Sequence, residues 1–333
     1  MLETALNSIY AVLIVLFMVG LGWLFGRAGY IKHEHKGLFI KLIIYAGMPA
    51  LVVNNVFGNL DLSTLEKPFL LFLLPCISMA VTLLLGILLA KILKPPKKRR
   101  GTFIVLCAFS NSIFIGLPMC TGLFGDSAVP YVMCFYIVNT TFFWTVGNYL
   151  ISKSGESADG NNGKDKTAVK TADRKKAVLM KLKKLLSPPL IALIICLPLF
   201  ALGVKMPEPI IRLSRQIGNI VTPLALFYIG YTLYEYGLKS LKPDKCTWAV
   251  LFVRFIAAPA IMFGLSFLFD FKGMPSGVMI IEAAMPVMTQ AIVLAGAYNA
   301  DESFAASCMS ISTILCCIAV PLLMVIMQAL NFF

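Results

Sequence analysis

Charge is scarce in this chain. Of its 333 residues only 14% are charged, where a soluble domain carries about a quarter. Histidine is scarcer, with only His33 and His35. Both fall in the basic stretch Arg27–Lys41, and no third ligand beside them completes a metal site. The nine cysteines include no CxxC pair and no metal-ligand spacing, so no thiolate metal site is expected. Most fall inside apolar runs, as small core residues do. No Walker-type phosphate loop is present, which excludes direct drive by ATP. No nucleophile with a base and no metal cluster falls in the apolar runs, so a membrane enzyme is not expected. The net charge of +13 would point to nucleic acid if the bases formed one patch. They are instead divided among loops, and no nucleic-acid partner is expected.

What fills the chain is apolar residue, 59% of it, gathered into long runs. A run of about 20 residues spans the hydrocarbon core of a bilayer. Ten runs qualify: 5–26, 42–60, 68–90, 102–125, 127–151, 187–204, 216–234, 247–269, 275–298 and 303–330. The first has no basic segment before it and no small-residue cleavage site after it, so it reads as a retained helix rather than a signal peptide. The expected fold is an all-α membrane protein of ten transmembrane helices.

Alternate loops then fall on opposite faces. The stretches Arg27–Lys41, Lys91–Arg100, Lys153–Leu186 and Glu235–Lys245, with the Asp301–Glu302 turn, hold 23 of the 29 Lys and Arg residues; the other face holds 5. The positive-inside rule puts the rich face in the cytoplasm and both termini outside, so a multi-pass protein of the cell membrane is expected. Within the longest loop, 153–173 reads as a flexible linker. Residues 174–186 read as a basic amphipathic helix on the anionic inner leaflet or as a plain topology anchor.

The linker 153–186 separates 1–152 from 187–333, with five spans in each part. An odd number forces the second part to enter with opposite orientation, which is an inverted repeat. Gly47-Met-Pro matches Val221-Thr-Pro, Pro75 matches Pro259, and spans four and nine align without a gap. Both of those spans carry breakers and polar residues at mid-depth. Pro118 is expected to free the carbonyl of Phe114, and Pro286 that of Glu282. Paired interruptions of this kind are the best sequence pointer to a transporter site. The half-helix beginning after each would aim its positive N-terminal end at an anion such as a carboxylate. Candidate site residues are therefore Ser110, Asn111, Ser112 and Pro118 in span four, and Pro286, Thr289 and Gln290 in span nine. Two charges also lie inside spans: Arg254, either a contact for the substrate anion or half of an ion pair, and Glu282, a candidate for proton or cation coupling. In span one, Gly22 and Gly26 form a GxxxG spacing that permits close helix packing.

These features resemble the auxin efflux carrier family, which includes plant carriers and many bacterial permeases. The resemblance is carried by Asn111-Ser-Ile-Phe-Ile-Gly-Leu-Pro118, Leu123-Phe-Gly-Asp126, Asn139 to Trp144, Pro223-Leu-Ala-Leu226, Ala284-Met-Pro-Val287, Leu294-Ala and Tyr298. It implies spans four and nine crossing at the substrate site, as in bile-acid symporters and sodium/proton antiporters. Spans one, two, six and seven would form a scaffold, expected to be dimeric, and the other six a moving transport domain. It also implies that Asn111 contacts a substrate carboxylate. The short central loop resembles that of bacterial-type permeases, and bacterial members of the family resemble carriers of malate, malonate and similar acids. The expected function is secondary transport of a small organic anion by alternating access, with no cofactor. The alternative is a sodium-coupled symporter or sodium/proton antiporter. No aspartate lies within any span to supply the acidic pair such antiporters generally use, which leaves Glu282 alone.

Overall fold

The computed structural model describes residue 14 and residues 17–60, 65, 67–156, 187–237 and 243–330. The described chain is helical. Its helices are α1 (17–27), α2 (His33–Gly58), α3 (Pro68–Leu93), α4a (Lys97–Ala108), α4b (Ser112–Phe124) and α5 (Asp126–Glu156). They continue as α6 (Pro188–Ala201), α7 (Glu208–Tyr236), α8 (Lys245–Leu268), α9a (Met274–Ala283), α9b (Gln290–Ala297) and α10 (Glu302–Ala329). Among the described residues, six are long and apolar enough to cross a membrane: α2, α3, α5, α7, α8 and α10. The segment 174–186 and most of the 153–173 linker lie outside the described residues.

Several boundaries differ from the sequence reading. The span expected from 42 starts at His33, so both histidines and Lys36 belong to a helix and not to a loop. The seventh extends back to Glu208; its first part is amphipathic, and its polar residues hid it from a hydropathy reading. The fourth is interrupted at Phe109–Asn111 and not at Pro118.

Pro118 has a different local effect. Its ring would clash with the carbonyl four residues back, and the turn before it widens to i→i+5 bonding: Gly116 N–H donates to Asn111 O (3.0 Å) and Leu117 N–H to Ser112 O. The same widened turn precedes Pro49 and Pro259, where Met48 donates to Ile43 O and Ala258 to Val253 O. Three prolines are thus absorbed without a break, as membrane helices do by local π adjustment.

Burial separates two kinds of helix. Residues 101–112, 131–140 and 276–295 are buried without interruption, so α4a after its first turn, the middle of α5 and most of α9a and α9b are surrounded by protein. By contrast α10 exposes Ile314, Ile318, Leu322 and Val325, and α3 exposes Val81, Leu84, Leu88 and Ile92. These stripes recur every three or four residues, the pattern of a helix with one face toward lipid.

Glycine sets the closest approaches. α2 packs chiefly on α6 and α7, and Gly47 sits directly on Val221, so the two matched motifs meet. Gly22 and Gly26 of α1 face Phe227 and Tyr234 of α7, and Gly230 faces Val19 and Trp23 in return. The GxxxG surface is therefore spent inside the chain. Gly101 of α4a lies against the Leu150 carbonyl of α5, and its N–H donates to Ser154 Oγ (2.6 Å). Gly101→Ala should destabilise the purified protein by roughly 1–3 kcal/mol. Gly264→Ala, whose Cβ meets nothing within 4 Å, should not. Thermal melting of both in detergent checks this; equal melting would mean that the α4a–α5 contact is not constraining.

Candidate functional site: two joined helix breaks

The interruption in α4 and the one in α9 meet. Asn111 N–H donates to Pro286 O (2.9 Å) and Met288 N–H to Phe109 O (3.2 Å). Ser110 and Val287 form an isolated antiparallel bridge. Backbone groups that neither helix can pair internally are paired between them. A buried unpaired amide costs roughly 2–7 kcal/mol, so each break stabilises the other.

Side chains complete the junction. Asn111 Nδ2 donates to Thr289 Oγ1 (2.8 Å), and Asn111 Oδ1 accepts from Phe114 N–H (3.3 Å), which caps α4b. Asn139 of α5 holds Ser110 from both sides: its Oδ1 accepts from the Ser110 N–H (3.3 Å), and its Nδ2 donates to Ser110 O (2.8 Å) and Ser112 Oγ (3.4 Å). Asn139 was visible in sequence only as part of a family-like stretch. Its signal is a lone amide in an otherwise apolar run. Pro286 lies in the extended stretch between α9a and α9b and lends its carbonyl to Asn111. The carbonyl of Glu282 accepts from Met285 N–H (3.3 Å), so it is not freed as expected. Gln290 opens α9b, with Nε2 3.9 Å from Met48 Sδ and Oε1 buried without a protein partner.

Arg254 of α8 reaches the opposite side of the junction. Its Nη1 donates to the carbonyls of Cys107 (3.4 Å) and Ala108 (3.2 Å), the last of α4a. Its Nη2 donates to Ala283 (2.6 Å) and Met285 (3.0 Å), and its Nε to Met285 (3.1 Å), at the end of α9a. One buried guanidinium thus serves the negative ends of two helices, the placement the helix dipole favours. No salt bridge joins it to Glu282 among the described residues, so the expected ion pair is not formed. Glu282 is also fully buried; its Oε1 receives the Cys120 thiol (3.6 Å) and its Oε2 has no partner. Its carboxyl lies against Gly116 of α4b, where any Cβ would collide with it.

A cavity of about 730 Å³ opens on the face of the basic loops. It reaches inward to Trp144 and Leu294, and Leu294 is one helical turn, roughly 6 Å, beyond Gln290. Trp144 Nε1 and Asn148 Oδ1 are buried at its wall without protein partners. Its rim holds a partly buried charge network centred on Lys36, which the sequence places in a loop and the structure in α2. Lys36 Nζ binds Glu235 of α7 (2.7 Å) and Glu302 of α10 (2.9 Å). Thr232 Oγ1 donates to Glu302 (2.9 Å), and His33 Nδ1 lies 2.6 Å from Glu235.

Nearby, Arg99 joins the starts of three helices, pairing with Asp301 (2.7 Å) and Asp244. Burial works against the Asp244 charge, yet the Thr247 N–H and the Arg99 guanidinium hold its carboxyl below the usual range. This contribution to stability is present at neutral pH and is lost as the pH falls through the lowered value.

The Arg254 geometry makes a prediction. Arg254→Met should abolish the folded protein or lower its stability by roughly 3 kcal/mol or more, since four carbonyls lose their donor in a fully buried site. Arg254→Lys, with fewer donors and no planar fork, should fall between. Size-exclusion and melting profiles read both. A well-folded Arg254→Met protein that had lost transport would instead make Arg254 a substrate contact.

A family model described as "Membrane transport protein" matches residues 7–324. Among curated proteins, an uncharacterized transporter of Methanocaldococcus jannaschii is 27% identical over 312 residues, covering 91% of this chain and 93% of that protein. An uncharacterized transporter of Methanothermobacter thermautotrophicus is 28% identical over 335 residues, covering 97% and 99%.

Proposed function

The chain belongs to the membrane transport protein family of auxin efflux carriers, whose members are transporters and not enzymes. On that premise we propose that it is a secondary carrier for a small organic anion, a mono- or dicarboxylate of the malate or malonate kind, working by alternating access around the joined breaks. The carrying observation is electrostatic. Two half-helices, α4b and α9b, begin at one point, with Asn111 and Thr289 between them. Their N-terminal ends each bring about half a positive charge. The opposing C-terminal ends are already matched by Arg254. Negative charge is answered within the protein and positive potential is left over, which suits a carboxylate.

In this reading the chain is ten spans in two inverted repeats, 1–152 and 187–333, joined by the cytoplasmic linker 153–186. The described helices α1, α2, α6 and α7 would be the scaffold, and α3 to α5 with α8 to α10 the moving domain. The packing of α2 on α6 and α7 supports that grouping. The cavity would be the cytoplasmic approach, with the Trp144 Nε1–H a donor for the anion on the way to Gln290. Lys36–Glu302 would cross between the two groups and part when they move. A homodimer through the scaffold would use faces other than Gly22 and Gly26, such as the exposed Ile191, Ile194 and Ile195 of α6.

Glu282 favours a second element, ion coupling. A buried carboxyl with one oxygen unpartnered must exchange a proton or take a cation when its surroundings change. It touches α4b at Gly116, so its state can be felt at the substrate site.

Two tests follow from these contacts. Asn111→Ala should lower uptake of a labelled dicarboxylate into proteoliposomes on the order of 10- to 100-fold, the worth of a hydrogen bond to a charged group. Asn111→Asp keeps the α4b cap and should fail equally, by repelling the anion. Wild-type flux in Asn111→Asp would remove the anion from this site. Glu282→Gln should flatten the pH or sodium dependence of transport; an unchanged profile would return Glu282 to a structural role.

A further inference from the structure

The basic face carries a second concavity, away from the joined breaks. A groove of about 420 Å³ runs between the ends of α3, α4a and α5. Lys97 and Arg100 of α4a and Lys153 of α5 line its upper part, and Ile87, Ile104 and Leu150 its lower part. The described lining includes no carboxylate. The shape has a local cause. Gly101 lets α4a sink against the Leu150 carbonyl and Ser154 hydroxyl, so its first turn becomes a shelf between its neighbours. No side chain caps that turn at Pro96, so the positive end of the helix adds to the three cations.

Ile87, which lines the groove, lies on α3 between the exposed Leu84 and Leu88. The exposed stripe Val81, Leu84, Leu88 and Ile92 of α3 climbs beside it. Tyr149, half exposed, lies under the Lys153 ammonium (5.8 Å), in the manner of aromatic and basic residues at a membrane interface.

We propose that this groove binds the phosphate headgroup of an anionic phospholipid, with the acyl chains running down the α3 stripe. The phosphodiester matches the cationic upper part, and Arg100 presents the fork that phosphate oxygens accept. The isoleucines and the leucine match the glycerol backbone and upper acyl carbons. A soluble phosphate compound would satisfy the cations but leave the apolar half and the stripe uncovered. The site is independent of the substrate reading, since it shares no residue with the joined breaks.

Native mass spectrometry of the full chain in detergent tests this, using phosphatidylglycerol and phosphatidylcholine as probes. Phosphatidylglycerol should be retained in preference to phosphatidylcholine. Each basic side chain near an anionic headgroup is worth roughly a fivefold factor, so Lys97→Gln/Arg100→Gln/Lys153→Gln should weaken retention on the order of a hundredfold. Arg27→Gln/Lys32→Gln/Lys245→Gln, equally basic positions on the same face, should weaken it little. Arg100→Gln and Lys153→Gln alone, both at exposed positions, keep the test valid if the triple variant folds poorly, and each should show part of the loss. The proposal is overturned by equal retention of both lipids or by an equal loss in the control set. It is also overturned if inorganic phosphate raises the melting temperature as much as phosphatidylglycerol does, through the same three residues; the ligand would then be soluble.

Discussion

A helix that stops halfway across a membrane leaves backbone donors and acceptors where no water can reach them, and hydrocarbon does not forgive the omission. This chain does it twice, and the two omissions cancel. The amides and carbonyls at Phe109–Asn111 are the partners of those at Pro286–Met288. The carbonyls that remain, at the ends of α4a and α9a, converge on Arg254. Much else can be traced to this constraint. Residues 101–108 of α4a and 276–283 of α9a are buried, in keeping with ends that must meet, Gly101 is required for α4a to lie that deep, and Asn139 holds the extended backbone at Ser110.

The junction is polarised as a result. One side has its charge answered by a buried guanidinium. The other has two helix starts, short side chains and amides, including a Gln290 oxygen without a partner. Glu282 sits behind α4b, close enough that a bulkier residue than Gly116 could not be accommodated. The large cavity on the basic face approaches from Trp144 and Leu294 and stops a turn short. Lys36 and Glu302 line its rim and, with Glu235, form an ion-pair network contributed by three different helices.

The helical class, the place of most spans and the identity of the polar cluster were legible in sequence. Long uncharged runs have few alternatives in a bilayer, and Asn111, Ser110 and Thr289 stand out inside them. What sequence could not supply was partnership. Pro118 looked like the breaker of the fourth span, but a widened turn absorbs it, and the break falls where α9 can complete the backbone. Sequence leaves Arg254 open as half of an ion pair or as a substrate contact, because it is a charge inside a span; in the structure carbonyls from two distant segments receive its guanidinium. Lys36 was invisible as a buried residue, because the compensating acids lie 199 and 266 positions away. The amphipathic start of α7 escaped a hydropathy reading because it is half polar.

The most direct measurement is the current from reconstituted protein on a solid-supported membrane, under concentration jumps of malate, malonate, succinate, lactate and indole-3-acetate, each at constant sodium, and of sodium chloride alone. A saturable current with one of the organic anions and none with sodium chloride alone is the expected result for an anion site at the joined helix starts. A saturable current with sodium alone, unaffected by any carboxylate, would contradict it and assign the site to a cation.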